Sequence, residues 1–228
     1  MPPKFGRSSA LEPVVRRYRQ VKNLSRWMLA VSACSPIQAE VGSGPPPTVS
    51  RCDASAPLRL YYRNAHVEDS SNVIDYLVKV ENGSGAALSP GSLKIRYYLT
   101  NELAPPSTIT VFYTDTCCSN KITNFNSEIL TSVQPVPATA GADAFLEIAF
   151  ASSLAPLATG DAIQVEVGFH DPAYARNLNQ TNDYSYVPVA AGTQAEWDGC
   201  PGPQCDPRFT SCSMTLYRDD VLVWGVPP

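Results

Sequence analysis

The chain has 228 residues, enough for one large domain or two small ones, and 44% of them are hydrophobic, so a sizeable core can be buried. Only 17% are charged and the net charge is −4. That balance argues against a nucleic-acid partner, because little is available to neutralise a run of phosphates.

In chain order, the first signal is basic. Arg16, Arg17, Arg19, Lys22 and Arg26 precede the apolar run "WMLAVSA". A basic segment, a short apolar run and then small residues is the order of a secretory signal. The ending "VSAC", Val31 to Cys34, also fits a bacterial lipoprotein box, in which Cys34 would carry lipid and anchor the chain to a membrane. Residues 1–34 are therefore expected to be an export or lipoprotein leader, which places the protein outside the cell or on its surface. A disordered tail from an early start codon is the other reading. Residues 35–56 read as a linker, since "GSGPPPTVS" is rich in Gly, Pro and Ser and lacks apolar periodicity. No other segment approaches the ~18 apolar residues that a spanning helix needs.

From Pro57 the texture changes. Short runs recur: "LRLYY" (58–62), "VIDYLVKV" (73–80), "LKIRYYL" (93–99), "TITVFYT" (108–114), "AFLEIAF" (144–150), "AIQVEVGF" (162–169), "DYSYVPV" (183–189) and "SMTLYRDDVLVWG" (213–225). In "AIQVEVGF", Ile163, Val165, Val167 and Phe169 alternate with Gln164, Glu166 and Gly168, a period of two that belongs to strands. Between the runs lie "ENGSGAALSPGS", "ELAPPS", "ATAGAD" and "LATGD", which are turn-forming. The 21 prolines fit poorly into helices. The expectation is one all-β domain over 57–228, a jelly-roll β-sandwich of about nine strands.

Seven cysteines suit an oxidising compartment. With Cys34 set aside, six remain, and they allow fifteen disulfide connectivities. Adjacent cysteines rarely bridge each other without strain. Cys117 and Cys118 are therefore each expected to reach a different partner, within the insertion "DGCPGPQCDPRFTSC". Zinc is disfavoured, because the two histidines, His66 and His170, lie far in sequence from the cysteines.

The stretch "NQTNDYS" (179–185) is dense in amides, hydroxyls and one carboxylate. Three chemistries suit it: a plain turn, a hard-cation site built from oxygens, or a polar surface that reads sugar hydroxyls.

Several blocks now combine in one order: "KIRYYLT", "FLEIAF", "QTNDYSY", "EWD" and the terminal "LVWG". Together they resemble a family 3 carbohydrate-binding module, the cellulose-binding module of bacterial cellulases and cellulosome scaffolds, over roughly Pro57 to Pro228. The resemblance implies a nine-stranded jelly roll with a bound calcium and a flat sugar-binding face.

For calcium, it implies ligands from the loop after "RYY" and the loop before "NDYS": Thr100, Glu102, Asn179, Asn182 and Asp183. The residue types suit that ion independently, since calcium takes six to eight hard oxygens in flexible geometry. Glu102 departs from the shorter Asp usual in the family, and Asn179 from the Thr it often has. For the flat face, Asp115 matches the family's Asp, but Thr116 stands where a His would be. Phe125 approximates the Tyr, and Tyr174 approximates the Trp, with a one-residue insertion. Gly168 sits at the Arg position, so the ion pair of the face is lost. Among the polar anchors Asn72 matches, Glu166 replaces an amide and His66 replaces an Asn, and both retain hydrogen-bonding capacity.

No enzyme is expected. A glycosidase needs two carboxylates at defined separation in a cleft, and Asp115, Glu147, Glu166 and Asp171 are candidates only as acids in general. There is no G-x-S-x-G or H-E-x-x-H motif. The expected function is non-catalytic binding of cellulose or a related β-glucan by a monomer, in support of polysaccharide degradation. The alternative is a cell-surface structural, sensor or adhesion module on the same fold.

Overall fold

A computed structural model describes residues 52–53, 55–103, 106–119, 121–188, 197–198 and 209–228. The expected leader with Cys34, most of the expected linker, and Cys200 and Cys205 lie outside the described residues.

Among the described residues eleven strands form: β1 (Leu58–Asn64), β2 (Ser70–Ser71), β3 (Ile74–Asn82), β4 (Leu93–Leu99), β5 (Thr108–Cys117), β6 (Ile129–Thr139), β7 (Ala142–Phe150), β8 (Ala162–His170), β9 (Leu178–Asn179), β10 (Thr215–Arg218) and β11 (Val221–Trp224). Nine of them build two antiparallel sheets, ordered β1-β3-β8-β5 and β11-β10-β4-β7-β6, while β2 and β9 pair with each other. This is the all-β sandwich expected from the alternation.

The period of two decides what lies inside. Leu60, Tyr76, Val78, Val165, Val167 and Phe169 from one sheet meet Ile95, Tyr97, Leu146, Ile148, Leu216 and Trp224 from the other. Each large side chain buried this way contributes about 1.5–3 kcal/mol relative to exposure. The rings of Tyr76 and Tyr97 stack across this core, with centroids 4.7 Å apart. Strand β3 is buried on both faces. Its outward Leu77 is covered by a second, smaller cluster with Tyr61, Trp197 and Phe209.

Two elements differ from expectation. "DYSYVPV" is not a strand over its described residues. Its polar groups bond to scattered partners instead of a ladder: Tyr184 N to Gly141 O at 2.7 Å, and Ser185 N to Tyr98 O at 3.1 Å. Conversely, β6 forms from "ILTSVQPVPAT", whose two prolines hide its pattern. It is an edge strand, paired among the described residues with β7 alone, and its register slips between Pro135 and Thr139. Proline is tolerated there because one side of an edge strand needs no donor. The run 213–225 folds back on itself at Asp219 and Asp220, both at positive φ (51° and 62°), as a tight hairpin turn requires.

Candidate functional site

Asp115 and Glu166, two of the residues carried over as sugar contacts, stand on the outer face of the four-stranded sheet, and strand register lays that face out in rows. Asp115 of β5 stands opposite Gln164 of β8, which stands opposite Lys79 of β3. The next row is Tyr113, Glu166 and Leu77; the one after is Thr110, Gly168 and Asp75. Adjacent rows along a strand lie about 7 Å apart.

A bulge in β5 sets the aromatic content of this face. Val111 pairs with Val167 and Tyr113 with Glu166, so Phe112 is an extra residue with no partner across the ladder. Val111 packs against the core. Phe112 is 41% exposed, and its ring lies over Gly168. Tyr113 follows on the same outer side, its hydroxyl donating to Asp115 Oδ2 at 3.0 Å. Sequence reasoning missed Phe112 and Tyr113, because strict alternation sends one of two neighbours inward; only the bulge, invisible in the pattern, places both outside.

Tyr174 rises from the loop after β8. Asp171 organises that loop by accepting from the backbone N–H groups of Ala173, Ala175 and Arg176 at 2.9, 2.8 and 2.7 Å. Tyr174 takes φ 53° and is 40% exposed. Its ring stacks flat on that of His170, centroids 3.7 Å apart and planes 12° apart. His170 is held in turn by Thr110 Oγ1 at 2.9 Å from its Nε2. Asn72 Nδ2 donates to the Tyr174 carbonyl at 3.2 Å, so this anchor residue braces the aromatic loop.

Two expected contacts are corrected. Phe125 is only 6% exposed and belongs to the core, so its ring has no free face for a glucan. Its backbone N–H is tied to Thr114 Oγ1 at 2.8 Å, which holds the loop down against the sandwich. Thr116 neighbours Asp115 on the strand and therefore points the opposite way, inward; its hydroxyl accepts from Ile122 N at 2.8 Å.

The polar part of the face is carboxylate-rich. Burial raises the Asp75 carboxyl to about 6, and the nearby Glu166 charge adds to the shift, against the opposing influence of His66. His66 Nε2 lies 4.0 Å from Asp75 Oδ2. Glu166 is itself raised by burial, with Arg63 and His66 opposing. Burial also raises Asp115, although the Tyr113 hydrogen bond and the Lys121 and Lys79 charges oppose it.

The cysteines depart from expectation. Cys117 bonds to its neighbour Cys118 rather than to a partner in the insertion, and Cys118 takes φ 106°. Cys52, inside the stretch expected as linker, bonds to Cys212 near the other end of the chain.

A second polar constellation links the five residues expected to hold calcium through direct hydrogen bonds. Thr100 N donates to Asp183 Oδ1 at 2.9 Å, and Thr100 Oγ1 to the Asn182 carbonyl at 3.1 Å. Glu102 accepts from Asn179 N at 2.7 Å and from Asn182 Nδ2 at 3.0 Å. Asn179 turns its own side-chain oxygen to Thr181 N and Oγ1. Tyr97 OH donates to Asp183 Oδ2 at 3.1 Å. Burial raises the Asp183 carboxyl to about 8 despite those hydrogen bonds, and the Glu102 and Asp143 charges push it the same way. Asn182 Oδ1 is buried without a hydrogen-bond partner among the described residues. Among the described residues no three His, Cys, Asp or Glu side chains converge as a metal cluster, so a cation here would rely on amide, hydroxyl and backbone oxygens beside Asp183 and Glu102.

Comparison with known proteins gives one consistent result. A family model described as "Cellulose binding domain" (CBM_3) matches residues 59–225. Endoglucanase 5 of Pectobacterium carotovorum is 25% identical over 197 residues, which cover 83% of this chain and 34% of that protein. Cellulosomal-scaffolding protein A of Acetivibrio thermocellus is 29% identical over 176 residues, covering 76% of this chain and 8% of that protein. The chain thus spans about a third of the first relative and less than a tenth of the second. Among solved structures, a family IIIa CBD from Clostridium cellulolyticum superposes with a TM-score of 0.64 at 27% identity, covering 76% of this chain and 98% of the other.

Proposed function

The chain belongs to the family of cellulose binding domains, and from that premise we propose that it binds cellulose or a related β-glucan through the outer face of its four-stranded sheet. It does so without catalysis, as a monomer outside the cell or on its surface, and supports degradation of the polymer there. The observation that carries this reading is the pair of exposed rings, Phe112 and Tyr174, sharing one sheet face with Asp115. Phe112 covers the row of Gly168, and Tyr174 covers His170 two residues further along β8, so the rings follow one another along the strand. Rings in that arrangement stack on the apolar faces of successive sugars, while Asp115, Glu166, His66 and the amide of Asn72 meet hydroxyls. The location is supported by the paired cysteines, which belong to an oxidising compartment.

Calcium is the proposed resident ion, held by Thr100, Glu102, Asn179, Asn182 and Asp183. The fit rests on two features: a buried amide oxygen on Asn182 that lacks a partner among the described residues, and a buried Asp183 carboxyl whose charge is unfavourable without a cation. The ion's role there is to neutralise Asp183 and tie the loop after β4 to the loop before "NDYS".

The test is depletion. The full chain is mixed with microcrystalline cellulose, chitin and xylan in turn, and the supernatant is assayed. Cellulose should remove the protein, and Phe112→Ala with Tyr174→Ala should leave it in solution. Failure of all three glycans to deplete it overturns the reading. That result would favour a surface structural, sensor or adhesion role, to which the burial of Phe125 and the uncharged Gly168 also point.

A further inference from the structure

Beside the flat face lies a cavity of about 260 Å³, lined by Lys79, Asp115, Cys117, Lys121, Gln164 and Asp198. Three of these side chains stand in one row across three strands, Asp115 on β5, Gln164 on β8 and Lys79 on β3. Two interstrand spacings make that row about 10 Å long. The aromatic line, by contrast, runs along the strands from Tyr174 through Phe112 and Tyr113 to Asp115. The cavity therefore extends sideways from the end of that line, at right angles to it.

The depression owes its depth to a wall that a bare sheet would lack. Trp197 is fully buried, and its indole N–H donates to Gln164 Oε1 at 2.8 Å. Lys79 Nζ donates to the Trp197 carbonyl at 3.0 Å and sits 4.7 Å from the centre of its ring. These bonds hold Asp198, the next residue, at the cavity mouth. The bonded pair Cys117–Cys118 ends β5 on the other side.

The lining selects a chemistry. Two ammonium groups face two carboxylates, so no net charge favours an ion. Lys79, Lys121 and Gln164 supply donors, and Asp115 and Asp198 supply acceptors, which suits a ring of hydroxyls. Cys117 and Ala162 supply small apolar patches for C–H groups. The volume lies just below the roughly 300–1,000 Å³ of pockets that enclose drug-sized molecules, so it accepts one sugar ring and no more.

We propose that this cavity is a subsite for a single neutral pyranose carried as a branch on a β-glucan backbone. It rests on the reading of the flat face as the glucan site. A backbone lying on the aromatic line passes the rim at Asp115, and only a group projecting sideways from it enters. The protein then discriminates decorated from plain β-glucan by an added contact.

The test uses the full chain and two soluble probes in calorimetry: cellotetraose and a xyloglucan heptasaccharide with the same four-glucose backbone. The branched probe should bind at least about fivefold more tightly, a difference of about 1 kcal/mol. Lys121→Ala, at an exposed position, and Ala162→Leu, which fills the cavity, should each abolish that preference while cellulose depletion stays unchanged. Equal affinities in a protein that cellulose depletes would overturn the branch subsite and leave the flat face standing. A preference that survives both variants would overturn it too. Branched binding lost in Lys121→Ala, in a protein cellulose does not deplete, would uphold the cavity and overturn the face; binding of neither probe would overturn both.

Discussion

The ring of Phe112 lies on Gly168: a Cβ on that glycine would stand 2.5 Å from Phe112 Cε2 and 2.8 Å from Val73 Cγ2. The missing side chain and the bulged aromatic are thus two halves of one arrangement, in which the ring occupies the space a side chain on β8 would fill. Gly168→Ala should push Phe112 off the face and weaken cellulose binding about two- to twelvefold, the value of one well-placed aromatic contact at about 0.5–1.5 kcal/mol. Gly168→Arg should weaken it as well, although it supplies the charge the family's face carries. Binding isotherms on microcrystalline cellulose decide this, and unchanged or tighter binding by either variant would show that Phe112 does not contribute.

Phe125 and Tyr174 look alike as loop aromatics, yet they should behave oppositely on truncation. Phe125→Ala opens a hole in the core and should cost about 3–5 kcal/mol of stability. Tyr174→Ala exposes His170 and removes a single stacked pair, so its unfolding free energy should fall by about 0.5–1.5 kcal/mol. Urea unfolding of each separates them. A Phe125→Ala protein as stable as wild type would mean its ring is not core.

How legible this was depended on the length scale of the cause. The sandwich was readable because alternation acts residue by residue, as in "AIQVEVGF". Strand β6 was not, since Pro135 and Pro137 are admissible only at an edge, and edges are defined by tertiary pairing. The flat face was half readable. Asp115 and Thr116 are neighbours on β5, so the pleat turns only one of them outward, and Phe112 needs a bulge that no local pattern announces. Phe125 failed because whether a loop aromatic folds down or out depends on partners far away in sequence. The cavity wall was out of reach, as Trp197 joins Gln164 and Lys79 across 33 and 118 residues.

The Asp75 carboxyl should make stability depend on pH. Burial lifts it from 3.8 to about 6, so between about pH 4 and pH 6 the native state holds a proton that the unfolded state has released. The cost of its charge is present in full above pH 6 and disappears below about pH 4. Asp75→Asn, which keeps the shape and removes the charge, should therefore be more stable than wild type at pH 8 and equal to it near pH 4. Urea midpoints at the two pH values test the sign; a variant less stable at pH 8 would reverse it.

The two disulfides among the described residues should differ sharply in weight. Cys52–Cys212 joins residues 160 apart, with Cα atoms 5.7 Å from each other. Closing so long a loop restricts the unfolded chain, and Cys52→Ser should cost about 2–5 kcal/mol. Cys117–Cys118 joins neighbours, so its removal frees almost no chain entropy. Replacing both by Ser should leave the melting temperature nearly unchanged. Thermal melts under non-reducing conditions compare them, and equal losses would contradict the loop argument.

Calcium should be visible through the core tyrosines. Tyr97 donates its hydroxyl to Asp183 and stacks on Tyr76, so a luminescent lanthanide bound at Asp183 would lie next to an absorbing ring. Terbium should give tyrosine-sensitised emission that calcium displaces. A ligand present at about 100 times its dissociation constant stabilises the native state by about 2.7 kcal/mol, so chelation should lower the melting temperature by several degrees. Asp183→Asn should remove the emission and the chelator effect together, whereas loss of the carboxylate alone, without an ion, would relieve an unfavourable buried charge and raise stability in chelator. A melting curve indifferent to chelator, with no sensitised terbium signal, would reduce the constellation around "NQTNDYS" to a hydrogen-bonded turn.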